Sequence, residues 1–411
     1  MLKIKIVKTR IPKYCFCPHC GIKQPFKKEN EHWKIVKDFS LNKPVLLNVQ
    51  IVSAKCLNPD CKTKSFCLPV KGITKFQRAT NRVIIEAITS NIIDNVPSQK
   101  IKDRFSRSLN TTGSRPTIDR WKHRQADSLS FKDLIRELNP STVICLDDLG
   151  PRRSKDSGLI ASDRIKGHIL YLDTVKSQDN DEVVKYLKKL KELGIENVSC
   201  FIVDMWKSFP VAIKEVYPDA KIQFDYFHIW QDINRHLESA IREYCKSLKE
   251  DEFNILATDL WNHRRVLLIN PNNPKKMTEK RKEKIQELKE THKDSVVEDV
   301  LILKERIRDI FENSKTIEEA YYKKNQLYYE NWHTKSIYFK KIIQLFMWPP
   351  YCYNMFTYLK EPDVPRSGNS ESSIKIVRSW EKPRYGFRTI KGLQDHLKLY
   401  QKIKYLGSNL V

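Results

Sequence analysis

Three observations predict a multidomain α+β fold for this chain of 411 residues. Two cysteine pairs, Cys17-Pro-His-Cys20 and Cys56-Leu-Asn-Pro-Asp-Cys61, stand near its start. Two short apolar runs, Val143-Ile-Cys-Leu-Asp-Asp148 and Val198-Ser-Cys-Phe-Ile-Val-Asp204, end in carboxylates. From Phe227 to about Lys341 the pattern is almost wholly helical, and only afterwards does Arg366-Ser-Gly-Asn-Ser-Glu371 arrive. The expected order is a zinc ribbon over 1–72, a helix-turn-helix over 73–128, and an α/β core over 139–230 and 346–411. An α-helical insertion over 231–345 interrupts that core.

Charge narrows the class of partner. Lys and Arg outnumber Asp and Glu by 75 to 50, a net charge of +25. Such a surplus favours a polyanion, because each phosphate contact releases counterions; a Lys-heavy surface without a partner is the bland alternative. No run of about 18 apolar residues exists, so no membrane span is expected. Met1-Leu-Lys-Ile-Lys-Ile lacks the apolar stretch of a signal peptide. The ten cysteines then belong in a reducing, cytoplasmic setting, where clustered thiols bind metal rather than pair. The scattered Cys145, Cys200, Cys245 and Cys352 read as small core residues.

In the first segment, C-x2-C followed by Gly21 bends two thiolates onto one tetrahedral corner. Cys56 and Cys61 supply the other two ligands of a structural Zn²⁺. Between the pairs, Leu47, Val49 and Ile51 alternate with Asn48 and Gln50, the period of a half-buried strand. Cys15, His19 and Cys67 stay outside the ligand set, and a reduced β domain without metal is the alternative.

Helical spacing then marks Phe76–Asp94, followed by a short helix from Ser98. Pro116 suits the first turn of a third helix through Thr117, Ile118, Trp121 and Arg124. Three helices with a basic last one resemble a helix-turn-helix, with Arg115, Arg120, Lys122 and Arg124 available to phosphates or bases. A solvated basic helix is the alternative.

From Ser141 strands are expected at Thr142–Asp147, Gly158–Ala161 and Gly167–Asp173. Helix Asp181–Leu193, strand Val198–Val203, helix Lys207–Val216 and strand Lys221–Phe224 follow. Three adjacent strands, then helix-strand-helix-strand, is the element order of an RNase H-like domain. A charged helix or tether is expected over Lys275–Lys293, and a closing helix near Leu393–Ile403.

Acids at strand ends sit at a sheet rim, where metals collect. Asp147, Asp204 and the distant Glu371 are therefore the candidate ligands of two Mg²⁺ (or Mn²⁺) ions, which clamp the attacking and leaving oxygens of a phosphodiester. Asp147 would bridge both ions, with Asp204 on one and Glu371 on the other. Asp147 is preferred over Asp148, and Asp204 could instead cap the next helix.

These pieces together resemble the IS-L-three family of bacterial insertion-sequence transposases, a DDE recombinase group. The resemblance rests on Cys17, Cys20, Cys56 and Cys61, on Leu146-Asp-Asp148 and Val203-Asp-Met205, on Phe224-Asp-Tyr-Phe-His-Ile229, and on Glu371 with Arg378 and Tyr385-Gly-Phe-Arg388. The glutamate precedes the glycine of the Gly-Phe-Arg motif by fifteen residues, as in the family. The chain departs from the family at Ile374, where relatives usually carry Asn, and at Asp148, where they commonly carry Glu.

The resemblance implies a catalytic triad of Asp147, Asp204 and Glu371. It implies a DNA contact from Arg378 and a helical insertion announced by Asp225-x-x-His228; Lys382, Arg384 and Arg388 in the basic, aromatic segment that follows are further candidate DNA contacts. His228 would orient a terminal base or the leaving strand, or else be a core-bonded histidine at a helix start. The implied activity is metal-dependent DNA cleavage and strand transfer on double-stranded DNA, at terminal inverted repeats and a target, by at least a dimer in the bacterial nucleoid. A DNA-binding regulator without catalysis, or a structure-specific nuclease on the same fold, are the competing readings.

Overall fold

A computed structural model of the chain describes residues 3–40, 43–73, 78–109, 114–151, 157–177, 179–270, 275–331, 336–347, 351–361, 363–382, 387 and 389–407. The residues form two compact units, Met1–Asn139 with Lys375–Val411, and Pro140–Ile374.

The first unit opens with β1 (Lys3–Val7), the hairpin β2 (Tyr14–Phe16) and β3 (Lys23–Pro25), and the long strands β4 (Lys28–Ser40) and β5 (Lys43–Lys55). β5 is central, with β1 parallel and β4 antiparallel to it, and β6 (Ser65–Cys67) pairs its far end. The strand is there, but the expected alternation is only partial: Val45 and Val49 are buried, Leu47 and Ile51 are no more than half-buried like Asn48 and Gln50, and burial moves to Val52 and Ala54.

Helices Asn81–Ile92, Ser98–Leu109, Arg115–Asp127 and Phe131–Leu138 follow. The first starts later than its apolar spacing implied, because the Thr80 side chain caps it by accepting from the Val83 amide. Residues 74–77, where the earlier start was expected, lie outside the described set. Val83, Ala87, Ile88, Ile92, Ile101, Phe105, Ile118 and Ala126 share one core, and Ser98 donates to Asp119 at 2.7 Å to join the second and third helices.

The closing helix Ile390–Tyr400 with the π turn Gln401–Tyr405 belongs to this unit and not, as expected, to the unit holding the acids. Leu399 enters the same core, and Asp395 pairs with His123 at 2.8 Å.

The second unit carries a five-stranded sheet of order β11-β10-β7-β8-β9. β7 spans Val143–Pro151, β8 Ser157–Asp163, β9 Ile169–Val175, β10 Cys200–Val203 and β11 Lys221–Phe224. β7, β8 and β9 form an antiparallel meander, whereas β10 and β11 run parallel to β7. Parallel neighbours need crossovers, here the helices Asn180–Glu192 and Ser208–Val216.

β10 is buried at every residue, which is why it reads as an unbroken apolar run. Beyond β11 come helices Tyr226–Glu250, Asn254–Leu267, Glu279–Thr291, Val296–Glu312, Ile317–Asn331 and Ile337–Met347, then two short turns of helix and helix Ser370–Glu381. Among the described residues, no helix is long and apolar enough to cross a membrane.

Candidate active site and metal centres

The four cysteines are brought together. Cys17 and Cys61 stand 3.9 Å apart, Cys20 and Cys56 3.8 Å apart, and all four sulfurs lie within 4.8 Å of one another. Tetrahedral zinc with Zn–S bonds of about 2.3 Å requires sulfurs about 3.8 Å apart, so the donor set fits that ion. Local bonding builds the corner: Gly21 takes φ +71, a conformation that favours glycine, and its amide donates to the Cys17 carbonyl at 2.9 Å. Gln24 joins the strands that carry the two pairs, donating to Lys55 and accepting from the Leu57 amide.

The Ile22 amide holds the Cys20 thiol down at about 7, whereas burial pushes Cys56 up to about 12. A zinc ion bound here would therefore displace protons, and its hold would weaken in acid.

Strand register aligns the acids of the second unit. Leu146 lies beside Val203, and Val203 beside Phe224. The residues that follow, Asp147 within β7 and Asp204 and Asp225 just past the ends of β10 and β11, therefore fall in one row; β7 does not stop at Asp147, as expected, but runs on to Pro151 because it stays paired with β8. Asp147 is 2% exposed, and its Oδ1 accepts from the Asp148 amide at 2.6 Å. Successive strand residues point to opposite faces, so only one of this pair can turn toward the row.

His228, in the first turn of helix Tyr226–Glu250, reaches both aspartates. Its Nε2 is 3.2 Å from Asp147 Oδ2, and its Nδ1 is 3.7 Å from Asp204 Oδ2. Burial alone would lower the imidazole pKa. The Asp147 hydrogen bond and the charges of Asp204 and Asp225 outweigh it and raise the value to about 9. Burial raises the Asp204 carboxyl, with the His228 charge opposing.

Asp225 is N-cap of the same helix: its Oδ1 accepts from the Phe227 amide at 2.9 Å, and its Oδ2 from the Gly368 amide at 3.1 Å.

Glu371 lies half-buried in the first turn of helix Ser370–Glu381. The segment before it is anchored within the same unit. Arg164 donates to the Ser367 carbonyl at 2.6 Å, Asn369 donates to the Asp163 carbonyl at 2.8 Å, and Ser162 donates to Asn369. Asp163, fully buried, accepts from the amides of Ser141, Ile165 and Lys166 and from the Ser141 hydroxyl. Burial raises its carboxyl pKa, but these four donors outweigh that and hold it below the usual carboxylate range.

Among the described residues, three or more ligand atoms within 4.8 Å of one another occur only at the cysteines. Asp147, Asp204 and Glu371 do not converge that closely. Their oxygens are nonetheless the donor type for a hard divalent cation, which keeps waters and substrate oxygens in its shell and needs few protein ligands.

Arg115, Arg120 and Arg124 are exposed on helix Arg115–Asp127. Lys122 is not available as expected: it is 8% exposed, because it continues the stripe Ile118–Lys122–Ala126 that faces the core. Arg378 and Lys382 are exposed, whereas Arg384 and Arg388 lie outside the described residues. Gly368 and the Asp163 anchor were not singled out from the sequence. The only signal for them was a glycine and an asparagine close before Glu371.

Comparison with known proteins gives the family. A family model described as Transposase, DDE_Tnp_ISL3, matches residues 129–395. No curated protein sequence matches the chain. Among solved structures, the chain is similar to one titled Drosophila P element transposase strand transfer complex. The identity is 14%, the TM-score 0.44, and the match covers 78% of this chain and 91% of that one. The chain thus belongs to the DDE_Tnp_ISL3 transposases, enzymes that use divalent metal to cleave DNA and transfer its strands.

Proposed function

We propose that Asp147, Asp204 and Glu371 are the catalytic acids of this transposase, and that they hold two Mg²⁺ or Mn²⁺ ions at the strand edge of an RNase H-like core. The observation that carries this is the strand register, which sets Asp147 beside Asp204, with His228 bonded to one and close to the other. The sheet order β11-β10-β7-β8-β9, with the outer pair parallel to β7, agrees with that core.

When bound, the cations supply charge neutralisation at the phosphate and a lowered pKa for the attacking water or hydroxyl. Asp147 and Asp204 fix one side of the ion site from rigid strands, and Glu371 brings the third carboxylate from a helix start. His228 is only 14% exposed. Spacing the two aspartates therefore suits it better than gripping a DNA base.

In the same reading, the four cysteines hold a structural zinc in a ribbon. The helices over 81–127 form the helix-turn-helix, in which Arg115, Arg120 and Arg124 contact DNA. Arg378, Lys382, Arg384 and Arg388 meet the strand near the cut. The helices between Tyr226 and Met347 are the insertion. Terminal inverted repeats are the specific substrate, and two ends are joined by at least a dimer.

The test is strand transfer with short duplexes carrying the element's flanking repeats and Mg²⁺, comparing wild type with Glu371→Gln. Joined products from the wild type alone support the assignment. Equal repeat binding by both proteins with cleavage by neither supports the regulator instead.

A further inference from the structure

Asp225 stands in the same row as Asp147 and Asp204, yet the proposed triad leaves it without a task. It is 4% exposed, and both of its oxygens are committed. Oδ1 accepts from the Phe227 amide and so starts the helix that carries His228; Oδ2 accepts from the Gly368 amide, three residues before Glu371.

Gly368 is seated tightly. A Cβ there would lie 2.8 Å from Asp225 Oδ2, 3.1 Å from Cys145 Sγ and 3.5 Å from Ile202 Cγ2. Cys145 precedes Asp147 by two residues on β7, and Ile202 precedes Asp204 by two on β10. The chain before Glu371 therefore lies directly on the two strands, β7 and β10, that lead to the aspartates.

A helix cap alone does not call for an acid here. Serine or asparagine caps as well, without the cost of a buried carboxylate beside two others. What serine lacks is a second acceptor pointing at a second segment. An unsatisfied buried amide costs about 1–3 kcal/mol, so the bond to Gly368 gives that loop one preferred position.

We propose that Asp225 is a positioning residue: it clamps the Gly368 loop, and with it the start of the Glu371 helix, to the strand edge that carries Asp147 and Asp204. The functional part of this rests on the triad assignment above, whereas the clamp itself does not.

The experiment separates cap from clamp in the full-length protein. Asp225→Ser keeps the cap and loses the acceptor for Gly368; Asp225→Ala loses both; Glu371→Gln is the reference. Three quantities are read: amide hydrogen exchange of the peptide covering 366–371, Mn²⁺ affinity by titration, and kcat for strand transfer beside the Kd for repeat DNA.

The expected result is that Asp225→Ser and Asp225→Ala behave alike. Exchange over 366–371 speeds up, Mn²⁺ binds more weakly, kcat falls about 100-fold, as loss of alignment does, and repeat Kd is unchanged. Wild-type exchange and turnover in Asp225→Ser would overturn the proposal and leave Asp225 a cap only.

If neither Asp225 variant folds, Gly368→Ala serves. It must raise exchange over 366–371 and lower kcat while the helix Tyr226–Glu250 stays protected, and wild-type behaviour again overturns the clamp. An active Glu371→Gln together with fast exchange in Asp225→Ser would uphold the clamp and count against the triad assignment.

Discussion

The four cysteines and the acidic strand edge, both metal-ligand sets in the proposed reading, are built on opposite plans. The cysteines come from two short turns, and their sulfurs already stand at distances that suit one ion. The acids come from two strands and a helix far apart in sequence, and a histidine stands between two of them. A closed set of four soft ligands suits a structural ion, whereas an open set of hard oxygens leaves room for substrate. In that reading, closure marks the metal that would hold a module together, and openness the one that would meet DNA.

The largest expected effect lies at the open site. Asp147→Asn should reduce strand transfer by at least about 10³-fold, equivalent to about 4 kcal/mol of transition-state stabilisation, with repeat binding intact. A gel assay of joined products checks this, and a variant retaining a tenth of wild-type activity would place the chemistry elsewhere.

Cys56→Ser should act at the closed site without touching the chemistry directly. Structural zinc contributes about 10–16 kcal/mol of apparent binding free energy near neutral pH. Metal analysis should therefore fall from one zinc per chain to nearly none, and the affinity for repeat DNA should fall with it. Zinc retained at full stoichiometry would mean that another residue holds the ion.

These two sites were unequally legible in the sequence. C-x2-C-Gly and C-x4-C are local patterns, so spacing alone pointed to their chemistry. Asp147 and Asp204 were visible because β7 and β10 are buried on both faces and read as apolar runs ending in an acid.

The contacts behind Glu371 were not legible. Asp225 meets Gly368, and Asp163 meets Asn369, across long stretches of chain, and neither polar pair leaves a period. The strand β4 was missed because Lys28–Trp33 is exposed on both faces, so the apolar alternation that marks a strand is absent. The return of Ile390–Tyr400 to the first unit was hidden for the same reason as the Glu371 contacts. An amphipathic helix records that it packs, not what it packs on.

A smaller effect should separate the anchor of Glu371 from the acids themselves. Asp163→Asn loses acceptor capacity for several buried donors and should destabilise the second unit by about 1–3 kcal/mol, seen as a lower urea midpoint. Its folded pKa lies below the unfolded value, so the carboxylate's contribution is fully present above the unfolded pKa. It is lost as pH falls through the folded one, and the Asn variant should lack this acid-side loss.

The smallest effect is expected at the exposed Arg120. Arg120→Ala should weaken DNA binding while reducing the salt dependence by about one unit of slope if it meets a phosphate. A loss confined to one base position would make it a base contact instead.

In the proposed reading, Asp147, Asp204 and Glu371 surround one divalent-metal site. That arrangement is tested most directly by replacing Mg²⁺ with Fe²⁺ and letting hydroxyl radicals cut the polypeptide beside the bound ion. Cuts near residues 147, 204 and 371, suppressed by excess Mg²⁺ and lost in Asp204→Asn, are the expected result. Cuts near the two aspartates with none near 371 would remove Glu371 from the site.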